Sequence, residues 1–185
     1  MFRPATDVHD ASLPAHFLFT RNMKNFTALL SFIFALVPFR AGAVDQKIQS
    51  FVADANIQKI AEAYALDAVD LAKSQFGIKL DWSDDSIENV EKALVKMHAS
   101  YTATTPRPTQ EQVMSFAKGF GSYVGEVYRR NHGGEWGMVS LNGQKFPGLR
   151  TKAGTNFWPW GRVANRITDG DENNVFDYYR VLLQK

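Results

Sequence analysis

The side chains best suited to chemistry sit in eighteen residues near the middle of the chain, FGSYVGEVYRRNHGGEWG, from Phe120 to Gly137. Glu126, His132 and Glu135 share this stretch. Two carboxylates flanking a cleft are the equipment of glycoside hydrolysis, one as acid and the other as nucleophile or base. A histidine between them would add a group that titrates near neutrality. No spacing rule fixes the separation of the two acids, and nothing in the sequence raises either pKa.

Other chemistries lack their parts. The chain has no Cys, which excludes a thiol nucleophile, a disulfide framework and a thiolate metal site. It has no Gly-rich phosphate loop ending in Lys-Ser/Thr, no G-x-G-x-x-G after a strand, no G-x-S-x-G elbow and no H-E-x-x-H. His9 and His16 precede an export signal, leaving His98 and His132. His98 falls at a helix end, and His132 closes the tail Arg129-Arg130-Asn131-His132; imidazolium complements the helix dipole at both places. Asp84-Asp85 could be a metal or catalytic pair, but capping of a helix N-terminus accounts for both. The sequence therefore assigns no catalytic residue, no metal and no cofactor.

The elements that must position these groups follow from periodicity. Residues 46–75 repeat Ile57, Ile60, Ala61, Tyr64, Ala68 and Leu71 at helical spacing, with Asn56 as a possible break and Gly77 as the stop. A second helix starts at Ser83 as N-cap, with Trp82 and Ile87 as a hydrophobic staple and a stripe through Val90, Leu94 and Met97. After the loop SYTATTPRPT, Thr109 and Gln112 form a capping box. The helix it opens carries the longest stripe: Val113, Phe116, Ala117, Phe120, Val124, Val127 and Tyr128. Gly121 and Gly125 border that stripe, and two small residues four apart let another element come close. Glu126 falls off the stripe and is expected to be a solvated partner of Arg130, four residues on.

Gly133-Gly134 ends the helix. Glu135–Leu141 alternates, Asn142-Gly143 is a type I′ hairpin turn, and Gln144–Arg150 returns with Pro147 marking an edge or bulge. A third strand is expected at Thr155–Trp158, a short helix over WPWGRVANRITDG, and a last helix from about Asn173 to Leu183. Helices, then a hairpin-rich antiparallel sheet, then helices make an α+β domain with a three-stranded sheet.

The chain's 185 residues suffice for one core. Residues 23–43, MKNFTALLSFIFALVPFRAGA, have the layout of a signal peptide cleaved near Ala43, too short an apolar run for a span of ~20 residues. Residues 1–22 have no such logic, so the expected start is Met23 and the single domain is residues 44–185. The formal net charge is +2, yet from Val44 onward there are 17 basic and 17 acidic residues. A neutral domain gains little from phosphate counterion release, which argues against nucleic acid. Aromatic and basic residues instead cluster late: Phe157, Trp158, Trp160, Tyr178 and Tyr179 beside Arg150, Lys152, Arg162 and Arg166. Such mixtures anchor protein interfaces, so Trp158, Trp160, Arg162, Arg166 and Arg150 are the expected contact residues for a protein partner.

GSYVGEVYRRNHGGEW, followed by NFWPWGRVANRITDGDENNVFDYY, resembles a small uncharacterised bacterial domain family over residues 78–185. The matching positions are Gly121, Tyr123, Gly125 and Glu126 in a G-x-Y-x-G-E helix, with Arg130 behind it. Gly134 and Trp136 follow in a G-x-W strand start, then Pro159, Val163, Arg166 and Gly170. The resemblance implies a structural signature and brings no catalytic assignment. By analogy of size and compartment, small exported domains of this kind include immunity proteins against toxins. The expectation is an exported, periplasmic, non-enzymatic binding protein, of inhibitor or immunity type. The alternatives are a cell-wall-active glycoside hydrolase using Glu126 and Glu135, and a structural envelope component.

Overall fold

A computed structural model describes residues 49–184. The expected signal peptide, residues 23–43, and the expected start at Met23 fall on residues outside that range. Six described residues at the front of the expected first helix, 49–54, are not helical. Gln49–Ala53 is a strand, β1, and Asp54 then caps helix α1, Ala55–Phe76, with its carboxylate accepting from the Asn56 amide at 2.8 Å. Asn56 therefore lies inside the first turn and breaks nothing. Helix α2 spans Ser86–Ala103 and α3 Gln110–His132. Strands β2, Glu135–Leu141, and β3, Gln144–Arg150, form the hairpin; β4 is Asn156–Phe157. Helix α4, Pro159–Asp169, a 3₁₀ turn at Asp171–Asn173 and α5, Val175–Leu183, complete the chain.

The fold is α+β, with a four-stranded antiparallel sheet ordered β1-β2-β3-β4. The fourth strand is the one the helical reading of residues 46–75 had absorbed. Asn142 and Gly143 both take positive φ, 52° and 79°, as the expected hairpin turn requires. Pro147 pairs only with Met138 of β2; β4 reaches no further than Leu149 and Arg150, so proline's missing N–H costs the ladder nothing.

Helix α3 is the centre of the molecule. Every residue from Gly119 to Tyr128 is buried, so its middle has no solvent face. The Thr109–Gln112 capping box that opens it is complete, at 3.3 Å and 2.8 Å. Helix α1 buries Ala61, Ala65, Ala68 and Ala72 completely, and its Phe76 stands edge-on to Phe120 of α3 at 6.3 Å; Ile60 is exposed. A Cβ at Gly119 would sit 3.7 Å from the Ala68 Cβ and the Tyr64 carbonyl, so the two helices come too close for Ile or Leu between them.

The two glycines bordering the stripe do what their spacing suggested. At Gly121, a Cβ would lie 2.8 Å from the Pro159 carbonyl and the Trp160 Cα, at the start of α4. At Gly125 it would enter the Trp136 ring. The first glycine admits a helix backbone and the second an indole.

Candidate functional site

Glu126 is fully buried, which corrects the expectation of a solvated pair. With no water-facing side to the middle of α3, a carboxylate there must be paired. Arg129 donates to both its oxygens at 2.8 Å, Arg130 to Oε2 at 3.2 Å, and the Trp136 indole to Oε1 at 2.8 Å. Arg129 also reaches Glu62 on α1 at 3.0 Å. Burial pushes the Glu126 carboxyl up, but the hydrogen bonds from Arg129, Trp136 and Arg130 outweigh it and hold the group below the usual Glu range. Glu126 ties α3, α1 and β2 together. Glu135 is exposed at the start of β2, and the two acids share no cleft.

His98 is held by its Nδ1 to the Ile167 carbonyl at 2.8 Å, against Gly170. His132 meets Asp84 at 2.9 Å. An ionised carboxylate only accepts, so the imidazole donates from Nε2. Asp84 also accepts from Asn131 at 2.9 Å and Tyr179 at 2.6 Å. Burial pushes Asp84 up, and the hydrogen bonds from Asn131, Tyr179 and His132 bring it below its ordinary value. This junction of α2, α3 and α5 joins residues 47, 48 and 95 positions apart, a separation no sequence rule anticipates. Its neighbour Trp82 adopts φ 68°, with its amide donating to the Tyr123 hydroxyl at 2.8 Å and its carbonyl accepting from Asn131 at 3.2 Å. The Arg130 guanidinium lies 3.8 Å above its ring. Trp82 packs on Tyr123, ring centroids 4.7 Å apart; the helix starts at Ser86 rather than just after Ser83, the expected N-cap, though Ser83 Oγ accepts from the Ser86 amide at 3.2 Å. Among the described residues, no three His, Asp or Glu side chains are grouped to hold a metal ion.

The five expected contact residues divide. Trp160 is buried, its indole donating to Ser122 at 2.8 Å. Arg166 is 1% exposed, bonded to Glu91 at 2.6 Å and Asp171 at 2.8 Å. Neither can serve as a contact surface. Both lie on the inner face of α4, where the apolar spacing of Trp160, Val163 and Ile167 turns them to the core. Arg162 is half-buried, stacked 4.3 Å from the Tyr178 ring and bonded to Asn173. Burial drives the Tyr178 hydroxyl up to about 12.

Arg150 is exposed and Trp158 half-buried with its indole nitrogen inside, and they belong to one face. In the register, Trp136, Leu149 and Phe157 share the sheet face turned to the core, and all three are buried. The opposite face carries Phe51, Val139 and Phe146 in one row across three strands. Phe51 and Phe146 are half-buried and flank Val139. Trp158 lies over Gly148, 3.5 Å from where its Cβ would be, and the Arg150 guanidinium is 5.8 Å from the Phe51 ring. Beside this row a recess of about 460 Å³ opens, lined by Gly134, Glu135, Arg150, Thr151, Lys152 and Gly154. Phe51 and Lys152 were not among the expected contacts of this face as such; Phe51 lay hidden in the misread helix.

No protein-family model matches the chain, and no curated protein does. A crystal structure from Bacteroides thetaiotaomicron VPI-5482, at 1.50 Å resolution, is similar with a TM-score of 0.53 and 12% identity. The match covers 78% of this chain and 51% of that one, so this chain spans about half the length of the solved structure. At that identity the likeness is one of fold alone. Among the described residues no helix is long and apolar enough to cross a membrane.

Proposed function

We propose that the chain is an exported, periplasmic binding protein that engages another protein, in the manner of an inhibitor or immunity protein, through the outer face of its sheet. One observation carries the reading: Phe51, Phe146 and Trp158 stand half-buried on that face beside exposed Arg150 and Lys152. Aromatic rings with arginine at hand are what interface cores use. The hydrolase alternative loses its support at Glu126, which is buried, ionised and held by three donors. A purely structural envelope component would have no tight partner.

Affinity capture from an envelope fraction tests the reading. The wild-type chain recovers a defined protein, and Trp158→Ala with Phe146→Ala loses it while circular dichroism shows the fold retained. Recovery of the same protein by the folded double variant would refute the assignment of this face.

A further inference from the structure

We infer that the recess beside the aromatic row receives a carboxylate side chain of the protein partner, presented on an extended segment with an apolar residue two positions away. The inference rests on the binding face proposed above and names what that face recognises.

Arg150 and Lys152 are both exposed, and neither has an ionic partner among the described residues. With Glu135 the recess carries two cations and one anion, and the surplus positive charge asks for a single negative group. The Arg150 side chain rests near Phe51, which leaves its planar fork to grip a carboxylate through two parallel bonds. Lys152 lies across Gly133, at φ +80°, where a side chain on that residue would collide with it. The glycine leaves that path open to the lysine as well as ending α3. The floor is a closed turn: the Thr151 amide donates to the Thr155 carbonyl at 2.8 Å, Gly154 to the Thr151 carbonyl at 2.9 Å, and Thr155 to Thr151 Oγ1 at 3.0 Å.

Glu135 narrows the anion further. It stands opposite Arg150 in the β2–β3 register and makes no ion pair among the described residues. A negative group on the rim repels a phosphate dianion more than a single carboxylate charge. A neutral sugar would leave the surplus positive charge unanswered. The apolar half of the motif comes from distance: on an extended chain, side chains two apart point the same way, about 7 Å apart. The Arg150 guanidinium and the Phe51 ring are 5.8 Å apart.

Two synthetic heptapeptides test this, one carrying Glu-Ser-Phe at its centre and the other Gln-Ser-Phe, titrated into the isotope-labelled purified chain. The readout is the amide resonances of Gly134 and Gly154 and the Arg150 Nε–H. The account expects the Glu peptide to shift all three and to bind about tenfold tighter or more, the scale of one charge-assisted bidentate contact. Arg150→Gln with Lys152→Gln should abolish the difference between the peptides, and Phe51→Ala should weaken both. Equal binding of the two peptides, silence at these resonances, or stronger shifts from inorganic phosphate or a neutral oligosaccharide would overturn the inference. In the capture experiment, a partner kept by Arg150→Gln with Lys152→Gln but lost by Trp158→Ala with Phe146→Ala sinks the carboxylate subsite alone. A partner kept by both sinks the binding face as well.

Discussion

Guanidinium and indole donors occupy both oxygens of Glu126, and the carboxylate stays ionised inside a helix layer. Its pKa is held below the ordinary 4.5, so its contribution to stability is complete above that value and disappears as the pH falls through the lower folded one. Glu126→Gln keeps an acceptor for the Trp136 indole but loses the charge facing two arginines. It should cost about 1–3 kcal/mol in urea unfolding at neutral pH and flatten the acid limb of the stability profile. An unchanged acid limb would show that Glu126 is not the titrating group. Asp84 behaves in the same direction, below its ordinary 3.8, and being about a third exposed it adds less. The sequence placed Glu126 four residues from Arg130 correctly, and that pair exists. It could not tell that α1, β2 and α4 would enclose the helix on every side, because burial of a helix's polar face depends on what packs there later.

The glycines of α3 set how closely the neighbouring elements approach it. In an exposed helix, Gly→Ala gains about 1 kcal/mol of helix propensity. At Gly119 a Cβ meets its neighbours at 3.7 Å, ordinary contact, so Gly119→Ala should stabilise the domain by about 0.5–1 kcal/mol. At Gly121 a Cβ would press on the Pro159 backbone at 2.8 Å, and at Gly125 on the Trp136 ring. There overpacking outweighs propensity, and each substitution should destabilise by about 1–3 kcal/mol. Thermal unfolding of the three variants checks the reversal of sign. Equal effects at all three positions would mean that close approach is not what the glycines provide. The hairpin, the capping box, α4 and α5 were readable because local chemistry dictates them: Asn-Gly for the turn, Thr-x-x-Gln for the cap, apolar spacing for the helices. Strand β1 was not. Gln49–Ala53 is five residues without a turn signal on its N-terminal side, and only pairing with β2, some ninety residues away, makes it a strand. Losing β1 also hid Phe51, and with it the aromatic row.

Across the whole molecule, a second buried ion pair ties the late helices to the early ones. Glu91 on α2 accepts from Arg166 on α4 at 2.6 Å and from the Val175 amide that opens α5 at 2.8 Å. Arg166→Ala leaves Glu91 without its counter-charge in a buried site and should cost about 3–5 kcal/mol in chemical denaturation. A loss under about 1 kcal/mol would be surface behaviour and would contradict the burial. In the sequence Arg166 reads as a contact because it stands near aromatics. Proximity in sequence to Trp158 said nothing about which side of α4 it occupied, whereas the helical spacing with Val163 did. The molecule thus divides its labour. The inner sheet face, α3 and the Glu126 and Glu91 ion pairs hold the fold, and the outer sheet face presents the half-buried Phe51 and Trp158 with the exposed Arg150.

The measurement that tests this division most directly is paired affinity capture with Glu126→Gln and with Trp158→Ala plus Arg150→Glu, at a temperature where circular dichroism finds both folded. The account predicts that the Glu126 variant, though less stable, recovers the same protein as wild type, while the outer-face variant, near wild type in stability, recovers none. Loss of the partner by the Glu126 variant and its retention by the outer-face variant would place the function in the glycine-rich helix and contradict the account.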